Sequence, residues 1–159
     1  MNSVELILMN SNEVRRRSLK LWSAIPEEFF FHKGDSSSMN LLEQVRHILE
    51  AEYLYLEMLK IRKSLPYSDE DPNPFNTRKL STVQEEINFA KPYRQEFLNF
   101  IMALNSSDLE NITIDRSDVG YTRNLGDMLT RMAYHEAVHA GQLLRDLRIL
   151  DIERPHLWD

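Results

Sequence analysis

Four stretches of the chain repeat apolar residues at three- and four-residue intervals, the period of a helix with one buried face. The first covers about residues 3–25. Val14, Ser18, Leu21 and Ile25 keep its spacing, Asn10-Ser11-Asn12 interrupts it, and Pro26 ends it. A second helix is predicted over 39–63, with Leu42, Val45, Leu49, Tyr53, Leu56 and Leu59 as its apolar stripe and the loop Lys33-Gly34-Asp35-Ser36-Ser37-Ser38 supplying cap candidates. A third is predicted over 81–105, where Ser81 and Gln84 read as a capping box and Pro92 should kink the run near residues 88–91. The fourth, over 124–150, has Asn124 and Asp127 placed as cap and first-turn acid. Between them, Asp69 to Pro74 reads as loop. Residues 106–120 read as polar and irregular, with Ile112-Thr113-Ile114 too short an alternation for a sheet. The expected architecture is all-α, a four-helix bundle in a single domain over 1–159.

Composition narrows the function classes. Glycine at 4 and proline at 6 of 159 residues suit few, long elements. A net charge of −6 disfavours sequence-independent nucleic-acid binding, because it repels a phosphate backbone. No apolar run approaches the ~18–20 residues that span a bilayer, and no signal peptide is visible, so the reading is a cytoplasmic protein without a membrane partner. The absence of cysteine excludes disulfides, thiolate metal sites and cysteine nucleophiles. Any thiol chemistry must use a thiol that arrives with a ligand.

The chemistry concentrates on the fourth helix. His135 and His139 stand one turn apart, on the apolar side with Met128, Met132 and Leu143. Such a pair can grip one divalent ion, and a stable site wants a third ligand from another element. His47 on the second helix is the candidate, since it lies off the polar stripe of Glu43, Arg46, Glu50 and Glu57 and in line with Ala51, Leu54 and Met58. His32 and His156 sit on no periodic apolar face. The competing reading is a set of core histidines, each hydrogen-bonded to a protein neighbour. His135-Glu136-Ala137-Val138-His139 also matches the H-E-x-x-H of zinc metallohydrolases, with Glu136 as general base. Gln142 and Arg145 stand where the longer metallopeptidase pattern needs glycine and histidine, so Glu136 is read instead as an acceptor behind a ligand or a base near a bound water. Tyr134 and Tyr53 are further candidates for moving protons. An all-nitrogen ligand set suits zinc, nickel, copper or iron over magnesium or calcium. Gly141 reads as a place where another helix approaches closely, and Gln142 as a donor to a ligand.

Taken together, these residues resemble the DinB-like family of small four-helix metalloproteins, grouped with YfiT-type proteins. The resemblance covers most of the chain. It rests on Leu41-Leu42-Glu43-Gln44-Val45-Arg46-His47 with Glu52, on His135-Glu136-Ala137-Val138-His139-Ala140-Gly141-Gln142, and more loosely on Pro155-His156-Leu157-Trp158. It implies up-down-down-up topology, homodimers, and a divalent metal, nickel or zinc, on His47, His135 and His139. It also implies that some relatives are transferases or isomerases using an external low-molecular-weight thiol such as bacillithiol, mycothiol or glutathione. Ala140 departs from the family, where relatives commonly carry arginine. The function this implies is metal-dependent transfer of an external thiol to a small-molecule substrate; the alternative is a non-catalytic metal-binding or ligand-responsive module.

Overall fold

Helix caps set the frame. In the computed structural model, which describes residues 1–66 and 73–158, an asparagine or threonine side chain accepts from the backbone N–H three residues on at the start of every α-helix. Asn2 with Glu5 opens α1 (Ser3–Trp22), Asn40 with Glu43 opens α2 (Leu41–Ile61), and Thr82 caps α3 (Val83–Met102). Asn105 with Asp108 opens the short α4 (Ser106–Asn111), and Asn124 caps α5 (Leu125–Ile149) as the sequence predicts. Asn40 takes the place expected of a residue in the loop Lys33 to Ser38, and Thr82 that expected of Ser81. Helix α1 runs without a break through Asn10-Ser11-Asn12, and α3 runs through Pro92, whose ring faces solvent. The loop expected at Asp69 to Pro74 lies outside the described residues as far as residue 72; Pro74–Thr77 is a 3-10 turn that buries Phe75.

The fold is mostly helical, as expected, but the stretch expected to be irregular needs correction. After α4, β1 (Thr113–Arg116) pairs antiparallel with β2 (Tyr121–Asn124), Thr113 opposite Asn124 and Arg116 opposite Tyr121. Gly120, at φ 88°, supplies the left-handed turn residue. The hairpin gains a third edge from the end of α2: Asp115 N–H donates to the Arg62 carbonyl at 2.9 Å, and Ser64 N–H to the Asp115 carbonyl at 3.2 Å. These strands are too short to signal themselves by periodicity and depend on that docking.

The four long helices pack α1 on α5 and α3, and α2 on α3 and α5. Two apolar clusters fill the interior. One joins Leu21 and Trp22 of α1, Leu41 to Leu49 of α2, Val83 and Ala90 of α3, and Leu143 and Leu147 of α5. The other joins Val4, Leu56 to Leu59, Phe97 and Ile101, and Leu125 to Met132 with Ile114 of the hairpin.

A chain of charges lies inside, one from each long helix. Arg15 of α1 is 7% exposed and forks onto Glu136 of α5, Nε to Oε1 at 2.9 Å and Nη2 to Oε2 at 3.1 Å. Its Nη2 also lies 3.4 Å from Glu52 of α2, which pairs in turn with Arg94 of α3. Arg94 closes the circuit by donating to the Ser11 hydroxyl and carbonyl and to the Asn12 side chain on α1. A second buried pair, Arg46 on Glu86, fastens α2 to α3, and Arg46 also donates to the carbonyls of Arg78 and Lys79. Arg46 is therefore not on a solvent stripe, as the helical wheel implied.

Glu52 and Glu136 are each 3% exposed, so deleting Arg15 strands the buried Glu136 carboxylate and leaves Glu52 to Arg94 alone. Arg15→Met is expected to destabilise the metal-free protein by about 3–5 kcal/mol. Urea unfolding measures it, and a loss below about 1 kcal/mol, the value of a surface pair, would contradict the buried network.

Candidate metal centre

The seam between α2 and α5 is built from the edge of each apolar face. On α2, Gln44, His47, Ala51, Tyr55 and Met58 follow the helical period, and on α5 so do Met128, Arg131, His135, His139 and Asp146. The structure joins them along the seam: Gln44 donates to Asp146 at 3.0 Å, and the Tyr55 hydroxyl reaches the Met128 sulfur at 3.7 Å. Between these contacts stand the three histidines.

Their rings meet edge to face. The His47 centroid lies 5.2 Å from that of His135 and 4.8 Å from that of His139, and the latter two are 4.6 Å apart. Nε2 of His135 and Nε2 of His139 approach to 3.1 Å, and one nitrogen from each of the three rings falls within 4.8 Å of the others. A cation about 2.1 Å from two nitrogens 3.1 Å apart subtends about 95°, between octahedral and tetrahedral. Bringing His47 to the same separation asks at most about 1.7 Å at the tip of one imidazole.

The protein does not satisfy this cluster by itself. Nδ1 of His135 and Nδ1 of His139 are buried without a hydrogen-bond partner, and their Nε2 atoms face each other. Two core histidines held by neighbours would show the opposite. Burial, then the neighbouring His139 and His47 rings, lower the His135 pKa to about 4. Burial followed by His47 also lowers that of His139, against a hydrogen bond to Gln142 that raises it. Both therefore stay neutral at pH 7, the form that ligates metal. All three rings are half-buried, so the centre has an open side, with Val138 and Gln142 exposed on the neighbouring surface of α5.

The remaining candidates fall elsewhere. Glu136 is turned to Arg15, and both of its oxygens are committed there, so it is not free as the base that H-E-x-x-H hydrolysis needs. Tyr134 is 73% exposed, and Tyr53 stacks with Phe75 and Tyr93. An added Cβ at Gly141 would meet nothing within 4 Å, so the close helix approach expected there is not made within the described residues. Arg15 and Arg94, which hold Glu136 and Glu52, were not read as site residues. Their signal was a charge at an apolar-stripe position: Arg15, Ser18 and Trp22 share one helical face.

Comparison with known proteins follows the same line. A family model described as the DinB superfamily matches residues 12–143. The crystal structure of a DinB-like protein, YjoA, from Bacillus subtilis is similar over 96% of this chain and 96% of its own, with a TM-score of 0.69 and 20% identity. At that identity the likeness speaks for the fold alone. No curated protein matches the chain.

Free zinc or nickel at a hundredfold its dissociation constant adds about 2.7 kcal/mol to a protein that binds it only when folded. For a chain of this size that raises Tm by about 5–10 °C. Wild-type protein is expected to show this rise, and His47→Ala, His135→Ala and His139→Ala less than a third of it. Equal rises in all four would place the metal elsewhere.

Proposed function

The chain belongs to the DinB superfamily, and from that premise we propose that it holds one divalent transition metal, zinc or nickel, on His47, His135 and His139 and transfers an external low-molecular-weight thiol to a small electrophile. The observation that carries this reading is the convergence of three imidazoles, two of which keep a buried Nδ1 without a hydrogen-bond partner. When bound, the cation would supply the Lewis acidity that favours thiolate over thiol near pH 7.

The chain's own residues supply the rest. Neutral His135 and His139 accept a cation without first losing protons. The Arg15 fork keeps the Glu136 carboxylate directed away from the cluster, so the ligand set stays uncharged and keeps the cation electrophilic. Gln142 beside His139 is placed to orient a bound ligand at the open side. In the reaction the thiol sulfur forms a bond to carbon, the leaving group departs with its electron pair, and the thiol proton passes to solvent. With no cysteine in the chain, both partners come from outside.

Three structural expectations belong to the same proposal. Up-down-down-up topology is supported by the two apolar clusters. The start of α1 and the start of α5 share one cluster with the ends of α2 and α3, and the opposite ends share the other. A homodimer is supported by the outer face of α5, where Tyr134, Val138 and Ile149 are exposed around a Gly141 that nothing covers. A cytoplasmic site of action is consistent with the finding that no described helix is long and apolar enough to cross a membrane.

Metal-loaded protein mixed with a small thiol and a chlorinated or epoxide acceptor is expected to consume thiol. His47→Ala should abolish that turnover while far-UV circular dichroism keeps its helical signal. If no thiol is consumed with any acceptor and each histidine variant melts ~10 °C lower or more, the ion ties α2 to α5 and the chain is a binding module.

A further inference from the structure

Beyond the histidines, the α2–α5 seam runs into a cluster of positive charge. Three guanidinium groups surround one ring: Arg116, Arg123 and Arg131 lie 5.7, 5.6 and 5.4 Å from the centroid of Tyr121. They come from β1, β2 and α5, and the docking of the hairpin on the end of α2 brings them together. The single Asp127 carboxylate pairs with two of these groups, with Arg123 on Oδ2 at 3.1 Å and Arg131 on Oδ1 at 2.9 Å, and offsets one charge. The third has no carboxylate partner among the described residues. Arg116 directs Nη1 at the Met58 sulfur at 2.9 Å, and its Nε is buried without a partner. The nearby acids are otherwise engaged: the Asp115 side chain accepts from Ser117 N–H, and Asp118 pairs with the Ser64 hydroxyl. In a chain of net charge −6, one cluster thus holds a local positive excess.

Its position relates it to the metal centre. Arg131 precedes His135 by one turn on the same edge of α5, a rise of about 6 Å. Across the seam, His47, Ala51, Tyr55 and Met58 lead in the same direction, and Arg116 and Arg131 both act electrostatically on Tyr55. The one small side chain in that stretch of α2 is Ala51, between the histidines and the arginines.

Resting on the metal-centre reading above, we infer that this stretch of the seam binds the anionic end of the ligand, a carboxylate or phosphate paired with Arg116 and flanked by Arg123 and Arg131, while the ligand's other end reaches the three histidines. A guanidinium with unsatisfied N–H groups suits a planar or tetrahedral oxyanion. The substrate class that follows is a thiol or acceptor with a carboxylate or phosphate one to two helical turns from its reactive atom.

Cobalt-loaded protein titrated with 6-mercaptohexanoate and with 6-mercaptohexanol, followed by the thiolate-to-metal charge-transfer band, separates the two ends. The carboxylate thiol is expected to bind at least tenfold more tightly at low salt. Arg116→Gln, or Arg123→Gln if that variant fails to fold, should cut the preference below threefold and leave the alcohol's affinity unchanged. Equal affinities in the wild type would overturn the anion site and leave the metal-centre reading standing. A band with neither thiol would overturn the thiol reading, and the anion site is then judged on metal-free protein: inorganic phosphate should raise its Tm, an effect lost in Arg116→Gln. No rise with phosphate would overturn the inference.

Discussion

Everything near the candidate centre depends on a buried guanidinium. Arg15 enters the interior from α1 and is held by two carboxylates from different helices, and only with both in place is its desolvation offset. The pairing fixes the rotation of α5, because Glu136 must face α1. Once Glu136 is turned inward, the helical period leaves His135 and His139 on the flank toward α2, where His47 waits. Arg94 does the same for Glu52 and sets the rotation of α2. The charges that link all four long helices thus aim the histidines without touching them. A buried network of this kind is weak evidence for stability, and its clearer consequence here is orientation.

The histidine cluster shows the reverse economy. His135 and His139 each carry a buried nitrogen that the protein leaves unpaired. Folding has to desolvate these groups, and their neutral form is the least costly way to do so. A divalent cation bound there would reverse the sign, because His135 and His139 would give it lone pairs that otherwise repel. Asp146, at the end of the seam next to the histidines, is occupied by Gln44. Further along, the arginine-ringed Tyr121 gives the seam a charge gradient, from neutral imidazoles to positive guanidinium groups.

Much of this was legible in the sequence. The four long helices follow from three/four spacing, and Leu42, Val45, Leu49, Leu56 and Leu59 are all buried as that spacing requires. The clustering of three histidines that could hold a metal was legible too: His135 and His139 from their one-turn separation, His47 from its place off the polar stripe. The short hairpin was not, since its four-residue strands carry no usable period and exist by docking against α2 and α5. Arg46 shows a subtler failure. By the helical wheel it belongs to solvent, yet Glu86 from α3 covers it, and a single-helix pattern cannot foresee what a neighbour brings. Glu136 was read for the motif around it, whereas its partner Arg15 lies 121 residues away.

The central claim is that three imidazoles share one cation. The most direct measurement is the metal content of protein purified without a histidine tag, set beside the same protein with His47, His135 and His139 all replaced by alanine. A ratio near one zinc or nickel per chain is expected, falling to near zero in the triple variant. A ratio near zero after expression in metal-rich medium, or one that survives loss of the three histidines, would contradict it.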